Sequence, residues 1–476
     1  MASPETQSQN VDIHPNADEL DPLHTPAVIS TRVPEAAIES PTQLRRRVIG
    51  LAAPVIGENL LQTLLGVVDT ILVAGVGAVA LAGVGAALQV IFVIIAALSA
   101  LTVGTSVLVA QAIGAEHPRM ASSYARQSIV WSVIIAIPLT GLGLLLTRPI
   151  INLFGMTPDV AQVAVDYLHV TLGTIATLTV MLLAGGVLRG AGDSRTPMFV
   201  TALANVVNVG LAYGLIYGHF GFPALGPVGS AWGTFGSRLL GAALLVVILF
   251  RGRNGVRIGD NGIWWPHLGT AWQVLKIGFP AALEEVFIIT AFAVMTPIVA
   301  HLGTLALAAH RVVINILSLS FLPGIGFGLA ATALVGQSIG ARRPDEARAV
   351  TAIALRWAIV WMGSLGVAFI IFAPHLMRLF TSDPDMIAIG ASAIRVVAFT
   401  QPLWAASFVY AGALRGTGNT HVPLLITGVS IWAAVGLGYL GILLVQPNLS
   451  LLWAAFLITG PLESLGFWWA WRRWRH

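Results

Sequence analysis

The sequence predicts an all-α polytopic membrane protein with twelve transmembrane helices in two pseudo-symmetric six-helix lobes. Three observations lead to this fold class: an apolar composition, twelve long hydrophobic runs, and a self-match of the chain at one constant offset. Of the 476 residues, 56% are hydrophobic and 10% are charged, and the mean hydropathy is +0.84. Because soluble domains carry about 25% charged residues, this composition excludes an ordinary soluble protein.

The transmembrane spans follow from the lengths of the hydrophobic runs. A bilayer core of about 30 Å requires about 20 apolar residues in a helix. Runs of that length, separated by charges or by Pro and Gly clusters, occupy residues 48–74, 83–113, 124–147, 163–186, 197–218, 228–250, 274–300, 306–338, 350–373, 389–412, 423–445 and 449–470. An even number of spans predicts that both termini lie on the same side of the membrane.

The distribution of basic residues predicts which side this is. Basic residues collect in alternate connections and beside the two termini: Arg45, Arg46, Arg47, Arg119, Arg126, Arg189, Arg195, Arg251, Arg253, Arg257, Lys276, Arg342, Arg343, Arg348, Arg415, Arg472, Arg473 and Arg475. The other connections contain mainly Arg148 and Arg378. Since Lys and Arg favour short cytoplasmic loops, we predict a multi-pass protein of the cell membrane with both termini cytoplasmic.

An internal repeat is the strongest sign of how the chain is organised. Pro54 matches Pro280 at an offset of 226 (280 − 54 = 226). The same offset relates Glu58 to Glu284, Gly77 to Gly303, Gln111 to Gln337, Gly114 to Gly340, Pro118 to Pro344, Phe154 to Phe380, Pro158 to Pro384, Arg189 to Arg415 and Pro197 to Pro423. Because the offset spans six helices, the halves share one orientation and are parallel repeats.

The repeat predicts the division of the chain into domains. Residues 1–43 are polar and read as a disordered cytoplasmic tail. We predict an N-terminal lobe at 44–250, a cytoplasmic linker at 251–273 and a C-terminal lobe at 274–472. The ligand path is expected between the lobes, and we expect a monomer.

Several paired motifs carry a resemblance to a known family. GVLRGAGDSRTPM (186–198) matches GALRGTGNTHVPL (412–424), and VLVAQAIGA (107–115) matches ALVGQSIGA (333–341). With VDTILVAGVGAVALAGVG (68–85) and TPIVAHLGTLALAAH (296–310), these motifs resemble the multidrug and toxic compound extrusion (MATE) family over about residues 46–470. The resemblance implies two six-helix lobes in a V, and export of amphipathic, often cationic compounds against an inward flow of protons or sodium ions.

The resemblance also implies a cation-coupling site in the N-terminal lobe. Asp69, followed by Thr70, matches the family's aspartate in the first span, and Asn208 and Thr234 match two further polar positions. Many members place Asp or Asn four residues after Asn208, where this chain has Ala212. The coupling ion is open at this stage: a carboxylate with raised proton affinity would carry H⁺, and a carboxylate with neutral oxygens would suit Na⁺.

One branch of the family has carboxylates in spans 7 and 10 of the C-terminal lobe. Here Ile288 occupies that branch's position in span 7, one turn from Glu284 and Glu285, and span 10 contains no carboxylate. The resemblance therefore favours the branch whose coupling chemistry lies in the N-terminal lobe.

Intramembrane acids are costly, by about 2.5–3.5 kcal/mol on insertion scales, and are functional candidates for that reason. Glu58 and Asp69 are 11 residues apart, so they share one helix face with Gln62. Glu58 and its repeat mate Glu284 are substrate-cavity candidates if spans 1 and 7 line the cleft. The alternative is that they only favour helix N-termini. Gln62 and Glu285 are substrate-cavity candidates as well, although Glu285 lies about 100° around the helix and could instead face its own lobe.

Other polar and aromatic residues have weaker functional signals. Trp404 in span 10 is a substrate-cavity candidate, although an aromatic stripe is more often packing. Arg238 and Glu463, in spans 6 and 12, are interior residues for which packing and function are equally plausible. His310 lies near the connection between spans 7 and 8, where we expect a solvated side chain.

The sequence argues against an enzyme. It contains no GxxxxGK[ST] phosphate loop, no HExxH metal pair and no cysteine, and we expect no cofactor, no bound metal and no nucleic-acid partner. The partners expected are small organic substrates and the lipid bilayer. The leading function is a cation-coupled antiporter of organic compounds; the alternatives are a lipid-linked oligosaccharide flippase of the same superfamily and a passive channel.

Overall fold

The computed structural model describes residues 40–260, 262–445 and 447–474, and these residues form fourteen α-helices. The first seven are α1 (Pro41–Ala74), α2 (Ala78–Gly114), α3 (Pro118–Asn152), α4 (Pro158–Gly173), α5 (Ile175–Gly190), α6 (Arg195–Tyr217) and α7 (Pro227–Arg251). The second seven are α8 (Leu268–Ala300), α9 (Thr304–Gly340), α10 (Pro344–Arg378), α11 (Pro384–Ala398), α12 (Gln401–Gly416), α13 (His421–Leu444) and α14 (Leu449–Arg473).

Twelve membrane spans account for these fourteen helices. Ten helices of the described chain are individually long and apolar enough to cross a bilayer. The other four form two bent pairs, α4 with α5 at 54° and α11 with α12 at 51°, and each pair has the length and composition of one span. The predicted all-α fold with twelve spans in two six-span lobes is confirmed, with α1–α7 forming the N-terminal lobe and α8–α14 the C-terminal lobe.

The two bends occur at equivalent threonines, which the hydropathy pattern does not reveal. Thr174 separates α4 from α5, and Thr400 (174 + 226 = 400) precedes α12. The hydroxyl of Thr174 donates to the Val170 carbonyl oxygen at 2.8 Å, and that of Thr400 donates to the Val397 carbonyl oxygen at 2.7 Å. Threonine hydroxyls that bond to a carbonyl of the preceding turn tend to bend helices, which explains why both repeats break here.

The start of α1 lies inside the segment predicted as a tail. Ser40 and Gln43 form a reciprocal capping box, and Pro41 occupies the first turn, so the helix begins at Pro41. The predicted tail therefore ends earlier than residue 43. Its residues 1–39 lie outside the described residues.

The segment between the lobes packs against the N-terminal lobe. Val256 and Ile258 are fully buried, and the backbone N–H of Arg257 donates to Ser122 Oγ at 2.9 Å. Gln127 Nε2 donates to the Trp265 carbonyl oxygen at 2.8 Å. Because α8 begins at Leu268, the last six residues of the predicted 251–273 linker are helical instead.

Close contacts between the lobes occur where α2 and α9 end. A Cβ placed on Gly114 would lie 1.9 Å from the Gln337 carbonyl oxygen, and one on Gly340 would lie 1.9 Å from the Gln111 carbonyl oxygen. Only glycine permits this backbone approach. We call this region, where α1 also begins, the closed end.

Candidate cation-coupling and substrate sites

Asp69 lies on α1 in the N-terminal lobe, five residues before the helix ends at Ala74 (74 − 69 = 5). Its Oδ1 accepts a hydrogen bond of 2.6 Å from the hydroxyl of Ser230 on α7. The carboxylate is only partly buried. It is therefore held by a neutral donor and retains exposed surface through which an ion could reach it.

Asn208 on α6 joins the same region of α7. Its Nδ2 donates to Thr234 Oγ1 and to Ser237 Oγ, each at 3.2 Å. Ser230 and Thr234 are one helical turn apart and so lie on one face of α7. The structure thus brings the three predicted residues, Asp69, Asn208 and Thr234, into one polar cluster between α1, α6 and α7.

Sequence reasoning missed part of this cluster. Ser230, which bonds Asp69 directly, and Ser237, which accepts from Asn208, were not singled out. Tyr167 on α4 is buried and lies within electrostatic range of Asp69. A search for polar residues at four-residue steps from Thr234 would have found Ser230, whereas nothing in the sequence of α4 indicates Tyr167.

The alanine at position 212 has a packing explanation. Ala212 is fully buried, and a Cβ placed on Gly233 of α7 would lie 2.7 Å from the Ala212 backbone nitrogen. The backbones of α6 and α7 therefore approach closely here. A larger Asp or Asn at position 212 would have to displace α7.

The two glutamates Glu58 and Glu284 are paired with the arginines of the repeated LRG motifs. Arg189 Nη1 lies 3.0 Å from Glu58 Oε2, and Arg415 Nη2 lies 2.8 Å from Glu284 Oε2. A threonine hydroxyl completes each group: Thr201 donates to Glu58 Oε1 at 3.4 Å, and its repeat mate, 226 residues later, donates to Glu284 Oε1 at 3.1 Å. Each acid is neutralised inside its own lobe.

The structure separates the two neighbouring acids of α8, both of which are substrate-cavity candidates from the sequence. Glu284 is 2% exposed and bonded within the C-terminal lobe. Glu285, for which its own lobe was the alternative, has an exposed side chain. It lies seven residues, or about 20° around the helix, from Gly278, whose Cβ position meets the Ala100 carbonyl oxygen of the other lobe. Glu285 therefore lies on the face of α8 that is directed towards the other lobe.

The two remaining substrate-cavity candidates, Gln62 and Trp404, also differ in exposure. Gln62 has an exposed side chain, two residues beyond the exposed Leu60. Trp404 is 8% exposed and makes edge contacts with Phe321, at 5.1 Å between ring centroids, and with Phe456, at 5.7 Å. Trp404 is thus part of the packed interior of the C-terminal lobe, which is the packing alternative that the aromatic stripe left open.

The expectation for His310 was wrong. Its side chain is fully buried in α9, 5.6 Å from the ring of Trp453, and neither ring nitrogen has a hydrogen-bond partner among the described residues. Residues Thr304 onward are already helical, so position 310 lies two turns inside a helix instead of in the connection.

The turn between α5 and α6 contains an acid that lies outside the spans. Burial opposes ionisation of Asp193, but hydrogen bonds from Thr196 and Arg253 outweigh it and hold the pKa of this carboxyl below its ordinary value. Arg253 Nε lies 2.7 Å from Asp193 Oδ2 and ties the interlobe segment to this turn. The repeat mate, Asn419, accepts a similar bond from the Val422 backbone N–H at 3.3 Å.

Comparison with known proteins decides the family. The MatE family model matches residues 54–214 and again residues 280–440, two segments separated by the same 226 residues as the internal repeat (280 − 54 = 226). The chain belongs to the MatE family of multidrug and toxic compound extrusion transporters. It is a multi-pass membrane transporter of the multidrug-efflux type and not an enzyme.

Relatives match along nearly the whole MATE chain. A probable multidrug resistance protein NorM of Thermotoga maritima is 35% identical over 83% of this chain and 85% of its own. The multidrug resistance protein NorM of Burkholderia vietnamiensis is 31% identical over 84% of this chain and 87% of its own.

Solved structures agree in fold. A crystal structure of MATE in complex with MaL6 superposes with a TM-score of 0.84 at 24% identity, covering 92% of this chain and 98% of the other. An outward-facing multidrug resistance MATE transporter superposes with a TM-score of 0.83 at 24% identity, with the same coverage. At this identity the likeness establishes the fold alone.

Proposed function

We propose that this MATE transporter is a secondary active antiporter of the cell membrane, with both termini cytoplasmic. It exports amphipathic organic cations in exchange for H⁺ or Na⁺ by alternating access of the site between its lobes. The names of the relatives from Thermotoga maritima and Burkholderia vietnamiensis, both multidrug resistance proteins, support the substrate class in its broad form.

The observation that carries the proposal is the environment of Asp69. A carboxylate within a membrane span is costly, and such residues usually serve transport. Its hydrogen-bond partner among the described residues is a neutral hydroxyl, that of Ser230, and its side chain remains partly exposed. These properties suit a group that takes up and releases a cation during each cycle.

The position of Glu285 supports the proposal that the substrate is a cation. It is exposed on the face of α8 that continues from the contact with α2, whereas Glu58 and Glu284 are neutralised by arginines. A carboxylate at a weakly hydrated surface attracts positively charged ligands and disfavours anions. Glu285 is therefore our candidate for substrate recognition.

The lobe contacts support alternating access. Contacts between α2 and α8 and between α1 and α9 form around glycines, where the helices of the two lobes approach closely: Gly278 meets the Ala100 backbone, and Gly326 meets the Ile56 side chain. Parallel repeats that meet at such an interface can rock against each other and open either side of the shared site.

The proposal is tested with purified protein in liposomes loaded with a fluorescent organic cation. A pH gradient and a sodium gradient are imposed separately, and the wild type is compared with Asp69→Asn, Glu285→Gln and the control Asp159→Asn. Asp159 is exposed in the first turn of α4, away from both sites. We expect gradient-driven export by the wild type and control, and none by Asp69→Asn.

Glu285→Gln separates the substrate claim from the coupling claim. Its apparent affinity for the organic cation should fall by roughly tenfold, the value of one charge interaction of about 1.4 kcal/mol, while transport of a neutral analogue is unchanged. Undiminished coupled export by correctly folded Asp69→Asn would contradict the coupling role. Equal losses for cationic and neutral compounds in Glu285→Gln would contradict the recognition role.

A further inference from the structure

Arg238 lies near the middle of α7 and has no role in the function proposed so far. No hydrogen bond or ion pair joins its guanidinium to another residue of the described chain, and its side chain is only partly exposed. An arginine at this depth costs about 2.5–3.5 kcal/mol on insertion scales, so it requires compensation from its surroundings. The compensating group should be found close by.

The helix geometry identifies that group. Ser230, Thr234 and Arg238 follow each other at steps of four residues, so they form one stripe on α7. Side chains tilt towards the N-terminus of their helix, which directs Arg238 towards Ser230 and hence towards Asp69. Asp69 and Tyr167 are the groups within electrostatic range of Arg238.

Several hydroxyl and carboxylate oxygens of the cluster already take part in internal hydrogen bonds. Ser230 donates to Asp69, and the Asn208 amide donates to the hydroxyl oxygens of Thr234 and Ser237. A hard metal cation needs several oxygen ligands directed at one point, whereas a proton needs one. The cluster offers one partly buried carboxylate and a nearby guanidinium, and Ala212 contributes no oxygen beyond its backbone.

We propose that Arg238 makes the N-terminal lobe site selective for protons over sodium ions, as the fixed positive charge that faces Asp69. The inference rests on the antiport proposed above and specifies its coupling ion. A guanidinium beside the carboxylate repels any added cation. A proton overcomes this repulsion because it forms a covalent O–H bond with Asp69, whereas a sodium ion has only a sparse set of ligands.

Arg238 also connects proton binding with substrate release. While Asp69 is ionised, the pair has no net charge, and when Asp69 is protonated the lobe carries the uncompensated charge of Arg238. That charge disfavours an organic cation in the same lobe. Proton uptake therefore expels the substrate, which is the exchange that antiport requires.

The experiment uses the full chain in liposomes and compares the wild type with Arg238→Met, Arg238→Lys and the control Arg251→Met. Methionine keeps the length and removes the charge, lysine keeps the charge, and Arg251 is exposed at the end of α7. Export of a fluorescent organic cation is measured under a pH gradient, under a sodium gradient, and across a pH series. Binding of radioactive ²²Na⁺ to the purified protein is measured beside it.

The wild type, Arg238→Lys and Arg251→Met are expected to export under the pH gradient alone and to bind no ²²Na⁺. Arg238→Met should gain measurable ²²Na⁺ binding at concentrations at which the wild type shows none, and its pH profile should move to higher pH because the carboxylate loses its neighbouring cation. If Arg238→Met fails to fold, ²²Na⁺ binding by the wild type and by Arg238→Lys still decides the question.

The outcomes separate this inference from the function on which it rests. Sodium-driven export or ²²Na⁺ binding by the wild type would overturn the role of Arg238 and leave the antiport intact. An unchanged pH profile and unchanged ²²Na⁺ binding in folded Arg238→Met would also overturn it. Export under neither gradient by any folded protein would contradict the antiport itself.

Discussion

The side-chain amide of Gln337 on α9 donates a hydrogen bond of 2.9 Å to the carbonyl oxygen of Gly190 on α5, across the boundary between the lobes. Gln111 on α2 makes the repeat-related bond, 3.0 Å long, to the carbonyl oxygen of Gly416 on α12. Both partners differ by the same offset (337 − 111 = 226 and 416 − 190 = 226). The closed end is therefore sealed by two equivalent bonds, one from each lobe.

Replacing Gln337 or Gln111 by alanine should weaken this seal. Each bond is worth about 1 kcal/mol, so each variant should shift the closed-to-open ratio roughly fivefold towards opening at this end. Spin-label distances across the closed end in detergent measure the shift. Gln162→Ala is the control because the side chain of Gln162, among the residues that the structure describes, bonds within its own helix, to Asp166. Distances that respond to Gln162→Ala as strongly as to Gln337→Ala would contradict the seal.

Substitution of the closed-end glycines Gly114 and Gly340 by any residue with a side chain should disrupt the contact between the lobes. In Gly114→Ala and Gly340→Ala, the new methyl would lie 1.9 Å from a backbone carbonyl oxygen of the other lobe, which forces the helices apart. We expect both variants to lose closure at this end and most transport activity while remaining folded. Gly85→Ala, on the same helix as Gly114, has open space around the new methyl and should behave as the wild type. Closure that survives in Gly340→Ala would show that the interface is looser than its geometry indicates.

The pairs Glu58–Arg189 and Glu284–Arg415 should stabilise their lobes to a similar degree. Arg189→Met leaves Glu58 buried without its cation, which should cost about 3–5 kcal/mol of unfolding free energy, and adding Glu58→Gln should recover much of the loss. Unfolding in mixed detergent micelles measures both variants and the double variant. Partial recovery of stability in the double variant would show that the two side chains depend on each other. Strictly additive losses would show that they do not.

The turn acid Asp193 gives a pH-dependent prediction. Because its pKa is lowered in the folded protein, its contribution to stability is present above the ordinary aspartate pKa of about 3.9 and is lost as pH falls through the lowered value. Asp193→Asn keeps a capping acceptor, as Asn419 does in the second repeat, and removes the charge that meets Arg253.

The measurement is the thermal unfolding temperature of the wild type and Asp193→Asn between pH 3 and pH 8. Since Arg253 is half exposed, the variant should lose less than about 1 kcal/mol near neutral pH, and the difference should shrink below about pH 4. Asp193→Ala should lose about 1 kcal/mol more because the cap is lost as well. A difference in stability between the wild type and Asp193→Asn that grows as the pH falls would contradict this prediction.

Hydropathy and the internal repeat predicted the fold because both can be determined from the sequence without knowledge of the tertiary contacts. The length of each span is set by the thickness of the bilayer. A duplication leaves matching residues of the two halves at one constant offset. The family resemblance also predicted a site of Asp69, Asn208 and Thr234, and the structure links Asp69 to Ser230 and Asn208 to Thr234. The bends at Thr174 and Thr400 were not, because local hydroxyl bonding leaves no trace in hydropathy.

Side-chain direction was the main failure. Glu284 and Glu285 differ by about 100° on α8, so their roles depend on which face meets α2, and the sequence does not contain that information. The arginines of the LRG motifs were interpreted as orientation signals, although Arg189 and Arg415 are the ion-pair partners of Glu58 and Glu284. The shared offset of 226 between the two acids and between the two arginines was a signal that could have paired them.

The most direct test of the account is uphill export. Wild-type protein in liposomes is given equal concentrations of a fluorescent organic cation on both sides, and a pH gradient is then imposed. We predict that the cation accumulates against its own gradient, that a protonophore abolishes the accumulation, and that Asp69→Asn shows none. Absence of accumulation under the pH gradient, and also under a sodium gradient imposed in its place, would contradict coupled antiport by this protein.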